Sequence, residues 1–460
     1  MKLINILPLA VVSTAFVIPD EALTNQIAIQ SPQDHAESVF DKLPSKDEAI
    51  NQFEDSVSKL IDTSKSAFDQ AVDYTSQSGE GAYHKIHETA FDAKSWLDTA
   101  ANSVEDFGKH GKHGHHGHCH KPNKTVYELI ASSKYTTKLA ALINEYEDVV
   151  TLLNGTLANY TVFAPTDKAF EKIPEHAPKP SKEDLKKVLL YHVSADFYPA
   201  GKVLVTHTVP TLLEVPETLG IGPQRLSTNI GLKGLTVNFY SRIVAIDIFG
   251  TNGVIHGVDS ILVPPPKAAD IIQFLPGEFS TLELGLTKTG LFKAINDTSN
   301  HIGGTIFAPS NFAFQKLGPR INGFLFSKYG QKYLKALLKY HIVANQTLYS
   351  DAYYKSESVE VEENGIPKGY FHIDLKTLLD DKSLSVDVAR YGRYINIKIN
   401  AFSTVVIEDG IAADGVIQVV SDVLIPPKAI DRGLQPWEGE ELDVEDLKQR
   451  LEPLMSNMEL

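Results

Sequence analysis

Two hydrophobic periods follow one another along the chain. Ile50, Phe53, Val57, Leu60, Ile61, Phe68 and Val72 recur at three- and four-residue spacing, which is one stripe of an amphipathic helix. Ser45 stands three residues before Glu48, the spacing of a capping box. Ser78-Gly79-Glu80-Gly81 breaks the stripe, and a weaker one runs through Ile86, Ala93, Trp96, Leu97, Ala100 and Val104. Residues 20–108 therefore read as two helices or, given their charge, as a partly disordered, self-repelling spacer. After residue 121 the pattern changes to short strands, short helices and Pro-Pro stops.

That second part repeats itself. Thr161-Val162-Phe163-Ala164-Pro165-Thr166-Asp167-Lys168-Ala169-Phe170 returns as Thr305-Ile306-Phe307-Ala308-Pro309-Ser310-Asn311-Phe312-Ala313-Phe314. Tyr191-His192-Val193 returns as Tyr340-His341-Ile342, and Asn252-Gly253-Val254-Ile255 as Asp414-Gly415-Val416-Ile417. The offsets are 144, 149 and 162 residues, so the second copy carries insertions. In each first motif a β-branched and aromatic run predicts a buried strand that Ala-Pro ends. Thr166-Asp167 and Ser310-Asn311 are then placed to cap a helix carrying Phe170 or Phe314 inward. Asn-Gly and Asp-Gly predict hairpin turns whose second arm is Val-Ile-x-x-Val, ended by Pro-Pro.

Three motifs in the same order, twice, resemble the signature blocks of the fasciclin domain family over about residues 121–428. The resemblance implies an α+β chain with two tandem wedge-shaped β-sandwich domains and flanking helices, at 121–265 and 267–428. It also implies a role in cell adhesion and matrix contact. By position it points to Tyr191, His192, Tyr340 and His341 as adhesion candidates, since the family's central Tyr-His region is implicated there. Both dipeptides also end amphipathic helices (Leu185, Val188 and Leu189; Leu334, Leu337 and Leu338), where a hydrogen-bonded, half-buried pair would serve packing. Asp259 and Asp422, in Val258-Asp259-Ser260 and Ser421-Asp422-Val423, are the nearest matches to an aliphatic-Asp-aliphatic integrin motif, with a different local order.

Composition narrows the setting. The net charge is −15, with 18 Asp and Glu against 6 Lys in 20–108 and 9 against 3 basic residues in 429–460, so the repeats themselves are close to neutral. No basic face is available to neutralise phosphates, and a nucleic-acid partner is not expected. Residues 1–15 combine Lys2, a short apolar run and the small residues Ser13 and Ala15, the pattern of a secretory leader. No later run reaches the roughly 18 apolar residues of a transmembrane helix. Five N-x-S/T sequons, at Asn123, Asn154, Asn159, Asn296 and Asn345, fit a glycosylated protein that is secreted or at the cell surface, with the vacuolar lumen as the alternative.

Candidate chemistry is confined to residues 109–120. His110, His113, His115, His116, His118 and His120, with the chain's only cysteine, Cys119, are interleaved with glycines. Imidazole and thiolate suit Zn²⁺ or Cu²⁺, which makes a metal-binding linker the second functional reading; a pH-sensitive polar hinge is the plainer one. Cys119 could also form an intermolecular disulfide, giving a dimer. No GxSxG, HExxH, P-loop or GxGxxG occurs in a strand–turn–helix setting, and the pairs Glu362-Glu363 and Asp380-Asp381 lie in polar segments, so an enzyme is not expected. Partners are expected among cell-surface or matrix proteins or glycans. The tail's apolar positions (Leu442, Val444, Leu447, Leu451, Leu454) suit docking on the second domain or on a partner.

Overall fold

The structure is a computed structural model describing residues 122–455, apart from 157, 174–179, 221, 232–233, 356–368, 380–381, 392, 431–432, 438 and 440–441. The leader, the acidic region 20–108, the His-rich linker and both acidic pairs lie outside the described residues.

The first repeat opens with three short helices, Val126–Ser132, Thr137–Ile143 and Glu147–Asn154. Thr125 and Glu128 cap the first of them reciprocally. The sheet strands are β1 (Tyr160–Pro165), β2 (Val193–Ser194), β3 (Thr208–Glu214), β4 (Pro223–Gly231), β5 (Gly234–Val237), β6 (Ser241–Gly250) and β7 (Gly253–Val258). Their order is β2-β1-β7-β6-β5-β4-β3, and β1 runs parallel to β7 while every other pair is antiparallel. The edges β2 and β3 come against each other, so the two layers are halves of one curled ladder. Phe163, Tyr191, Val209, Leu226 and Leu262 fill the space between them.

The second repeat copies this arrangement with β8 (Gly304–Pro309), β9 (Ile342–Ala344), β12 (Gly369–Lys376), β13 (Ser383–Tyr391), β14 (Tyr394–Ile399), β15 (Ser403–Ala412) and β16 (Gly415–Val420). The order is β12-β13-β14-β15-β16-β8-β9, with β8 parallel to β16. The insertion that lengthens the offset includes an added hairpin, β10 (Gln346–Leu348) with β11 (Tyr353–Lys355).

Each central strand is buried along its length because both of its faces are covered, which accounts for the near-continuous apolar run of the first motif. The third motif forms the expected hairpins, but its glycine serves another purpose. The turn residues are Thr251-Asn252 and Ala413-Asp414, while Gly253 and Gly415 begin the return strands. A Cβ on Gly253 would lie 2.2 Å from the Tyr160 carbonyl oxygen, and one on Gly415 2.2 Å from that of Gly304. The parallel neighbour passes too close for any side chain.

Asn252 is fully buried. Its Oδ1 accepts from Val126 N (2.8 Å), and its Nδ2 donates to the carbonyls of Leu153 (2.8 Å) and Gly155 (2.6 Å). It thus ties the N-terminal helices to the sheet. Asp414 makes only the first of these contacts, accepting from Ala268 N at 2.8 Å.

The caps also differ from expectation in detail. Ser310 accepts from Ala313 N, whereas Thr166 makes no side-chain cap bond. Asp167 and Asn311 reach sideways to another helix, accepting from Lys138 N (2.8 Å) and Thr281 N (2.9 Å).

The tail docks on the second domain. Its helix, Val444–Leu451, sets Leu447 and Leu451 into that domain's core. Tyr333 donates to Glu452 (2.7 Å), and Phe402 packs against Trp437. Among the described residues no helix is long and apolar enough to cross a membrane.

Candidate functional site

The repeated Tyr-His dipeptides sit where a helix ends, at the last turns of Lys182–Tyr191 and Gln331–Lys339. Terminal carbonyls there lack helical partners, and the histidine supplies one. His192 Nδ1 lies 2.7 Å from the Val188 carbonyl, so it must carry the proton, and Nε2 accepts from Leu262 N at 2.9 Å. His341 repeats both bonds with Leu337 (2.8 Å) and Leu424 (2.9 Å).

Each ring therefore works as a neutral imidazole stapling a helix end to the segment before Pro-Pro. Burial pushes the pKa of both down to about 4. Tyr191 OH donates to the Arg225 carbonyl and accepts from Asn238; Tyr340 OH does the same with Ser383 and Asn400. All four side chains are buried, not half-buried, and their polar atoms are engaged inside the domain. None of the four is offered at the surface of the folded domains.

Asp259 and Asp422 lie at the ends of β7 and β16. Asp259 accepts from Arg242 N (2.8 Å) and pairs with Lys172 (3.2 Å); Asp422 pairs with Lys316 (2.8 Å) and accepts from Ser421 Oγ (2.6 Å). Each fastens the helix after the first motif to the sheet, and its carboxylate is largely covered.

The sequons divide. Asn123, Asn154 and Asn159 are exposed on the first domain, while Asn296 and Asn345 are half-buried. Asn154 Oδ1 accepts from Thr125 Oγ1 (2.7 Å), and Asn345 Oδ1 from Ile302 N (2.9 Å). The metal-ligand candidates His110, His113, His115, His116, His118, Cys119 and His120 fall outside the described residues. Among the described residues no three His, Cys, Asp or Glu side chains are grouped to hold a metal.

One polar cluster was not apparent from the sequence: it is the junction between the two domains. The added β10–β11 hairpin carries Asp351, whose carboxylate accepts from His207 N (3.1 Å), Thr208 N (2.8 Å) and Thr208 Oγ1. Arg225 on β4 donates to Thr208 Oγ1 (2.6 Å), the Thr208 carbonyl (3.0 Å) and Tyr354 OH (2.6 Å), with Asp351 at 3.8 Å. Arg393 reaches the other way, donating to the carbonyls of Leu204 (2.8 Å), Thr206 (3.2 Å) and Thr228 (2.7 Å). Gln224 donates to the Ala412 carbonyl, Thr218 to that of Ala413, and Gly303 N to that of Thr218.

One signal existed. The chain has only seven arginines, and Arg225 stands alone among uncharged residues in the strand Pro223–Gly231. A buried charge on a strand implies a partner, but not which one.

Geometry and topology define a class: a docked pair of α+β domains, each a curled seven-stranded sheet closed by helices and a buried Tyr-His staple. The fasciclin domain model matches residues 134–264 and 277–426, and the chain belongs to that family. Aurofusarin biosynthesis cluster protein S of Gibberella zeae is 31% identical over 69% of this chain and 81% of its own length. Periostin of Homo sapiens is 28% identical over 41% of this chain, which spans 20% of that protein. The cell surface glycolipoprotein MPB83 of Mycobacterium bovis is 31% identical over 29% of this chain and 56% of its own. A solved FAS1 domain pair from the insect cell adhesion molecule fasciclin I covers 63% of this chain and 96% of its own, at 18% identity and a TM-score of 0.32.

Proposed function

We propose that this protein is a non-catalytic, secretory-pathway glycoprotein that mediates adhesion or cell-wall and matrix association through its fasciclin pair. The observation that carries this reading is the docked pair itself. Two family domains are fastened by a buried polar junction, so they offer a partner one continuous outer surface. The Tyr-His staples are spent on folding, which leaves that outer surface as the recognition element, facing proteins or glycans of the cell surface. The exposed sequons Asn123, Asn154 and Asn159 are the preferred glycan sites. MPB83, named for the cell surface, lends support by kinship.

Fractionating cells into medium, wall, membrane and vacuole tests the setting. The expected result is a protein outside the cytosol that N-glycosidase shifts to lower mass. A cytosolic, unshifted protein would sink the proposal. Cell-aggregation assays then compare cells with and without it, and aggregation that falls on deletion but withstands metal chelators supports adhesion. The second reading, transition-metal binding by His110–His120 and Cys119, rests on six histidines in eleven residues. Titrating Zn²⁺ or Cu²⁺ into a peptide of residues 105–125 by calorimetry tests it, and absence of heat at micromolar metal removes it.

A further inference from the structure

Four described histidines are buried in the sheet domains or between them, and their hydrogen bonds separate one from the rest. His192 and His341 each face one acceptor and one donor. So does His256, whose Nε2 meets the Tyr198 carbonyl (2.8 Å) and whose Nδ1 faces Asp247 N (3.4 Å). A neutral imidazole satisfies such a pair.

His207 faces two acceptors. Its Nε2 lies 2.7 Å from the Arg393 carbonyl and its Nδ1 3.4 Å from Glu408 Oε1, both on the other domain. A neutral ring must donate from Nε2 and would then turn the Nδ1 lone pair toward a carboxylate. Only the imidazolium meets both.

The charges around it count the same way. From β4 comes Arg225; from the β10–β11 turn, Asp351; from the start of β14, Arg393; and from β15, Glu408 and Asp409. The rings of Tyr349 and Tyr354 lie against the Arg225 guanidinium. With His207 protonated and Asp409 ionised, three cations face three carboxylates and the junction is neutral. Without that proton it buries a net negative charge, which a low-dielectric interface disfavours.

We propose that His207 is a proton-operated latch between the two fasciclin domains, holding them docked under mildly acidic conditions and loosening them as the medium becomes alkaline. Its pKa lies above the ordinary 6.5: burial and the Arg393 charge oppose the proton, but the hydrogen bond to Glu408 and the fields of Asp409 and Glu408 outweigh them. A proton bound more tightly in the docked form stabilises docking fully below 6.5, and that contribution is lost as pH rises through the docked value. Asp409, buried beside Asp351 and pushed up to about 6, acts in the same direction. Glu408 acts oppositely, since its pKa is held below 4.5 and its share disappears in stronger acid. Docking is therefore firmest between those limits.

Hydrogen exchange by mass spectrometry on the full chain tests this, following residues 204–209 and 349–354 at pH 5.5, 7 and 8.5 after correction for the intrinsic pH dependence of exchange. Protection should fall on the alkaline side by about tenfold for each unit by which docked His207 is more basic than free imidazole. In His207→Gln the amide still donates to the Arg393 carbonyl but cannot titrate, so the alkaline loss of protection should shrink to the share that Asp409 carries. Flat protection in the natural chain, or an undiminished pH slope in His207→Gln, overturns the latch. Should that variant fail to fold, Glu408→Gln must lower the pKa of His207 measured by NMR, and an unchanged value overturns it equally.

Discussion

Acid should weaken each domain through its own buried histidine, by an amount that follows from the staple geometry. Folded His192 and His341 are held neutral with pKa values pushed down to about 4, while in the unfolded chain they titrate near 6.5. Between those values the unfolded state binds more protons, so stability is fully present above 6.5 and declines as pH falls. At pH 4.5 the loss is about 2–3 kcal/mol per domain. Many carboxylates also respond to acid, so the informative perturbation is His192→Asn.

That variant retains a donor for the Val188 carbonyl but leaves Leu262 N without an acceptor, costing about 1–3 kcal/mol at pH 7. It also removes the titrating ring. Urea unfolding followed by circular dichroism at pH 7, 5.5 and 4.5 should therefore show the gap between natural chain and variant closing by about 2–3 kcal/mol toward acid. A gap independent of pH would refute the reasoning, as would an imidazole resonance of His192 that titrates near 6.5.

Other outcomes follow from single contacts. Asn252→Ala leaves Val126 N and the carbonyls of Leu153 and Gly155 unpaired in a buried site, and should cost about 3–5 kcal/mol, read as a lower urea midpoint with proteolysis beginning in the helices before β1. Leu447→Ala should cost the second domain about 2–5 kcal/mol and expose the tail to protease, because Leu447 is fully buried in that core; a tail as resistant as before would show that the helix is not held there.

How far the sequence could be read depends on what each residue answers to. The Val-Phe-Ala-Pro and Ile-Phe-Ala-Pro strands and their stops were legible because a strand covered on both faces needs an unbroken apolar run. The hairpins were legible through Asn-Gly and Asp-Gly, although for the wrong local reason: Gly253 and Gly415 answer to the strand passing beside them, a contact about a hundred residues distant in the chain. Tyr191, His192, Tyr340 and His341 were visible as repeated residues. A packing role at the helix end was legible beside the adhesion one, but the groups each ring pairs with were not, since they come from distant segments. The tail's stripe announced a docking helix and left open whether the second domain or a partner is the surface it covers.

Residue order alone determined that there are two copies, in what order their motifs come, and where their strands turn and stop. These follow from periodicity and local turn chemistry, which act over a few residues. The tertiary structure alone decided that the copies are fastened through an inserted hairpin, and that of the four buried histidines among the described residues only His207 is surrounded by acceptors. Hydrogen-bond donors and acceptors are paired in space, not along the chain. The protonation state of a histidine belongs to whatever the fold sets against its two nitrogens, and for His207 both of those partners come from the other domain.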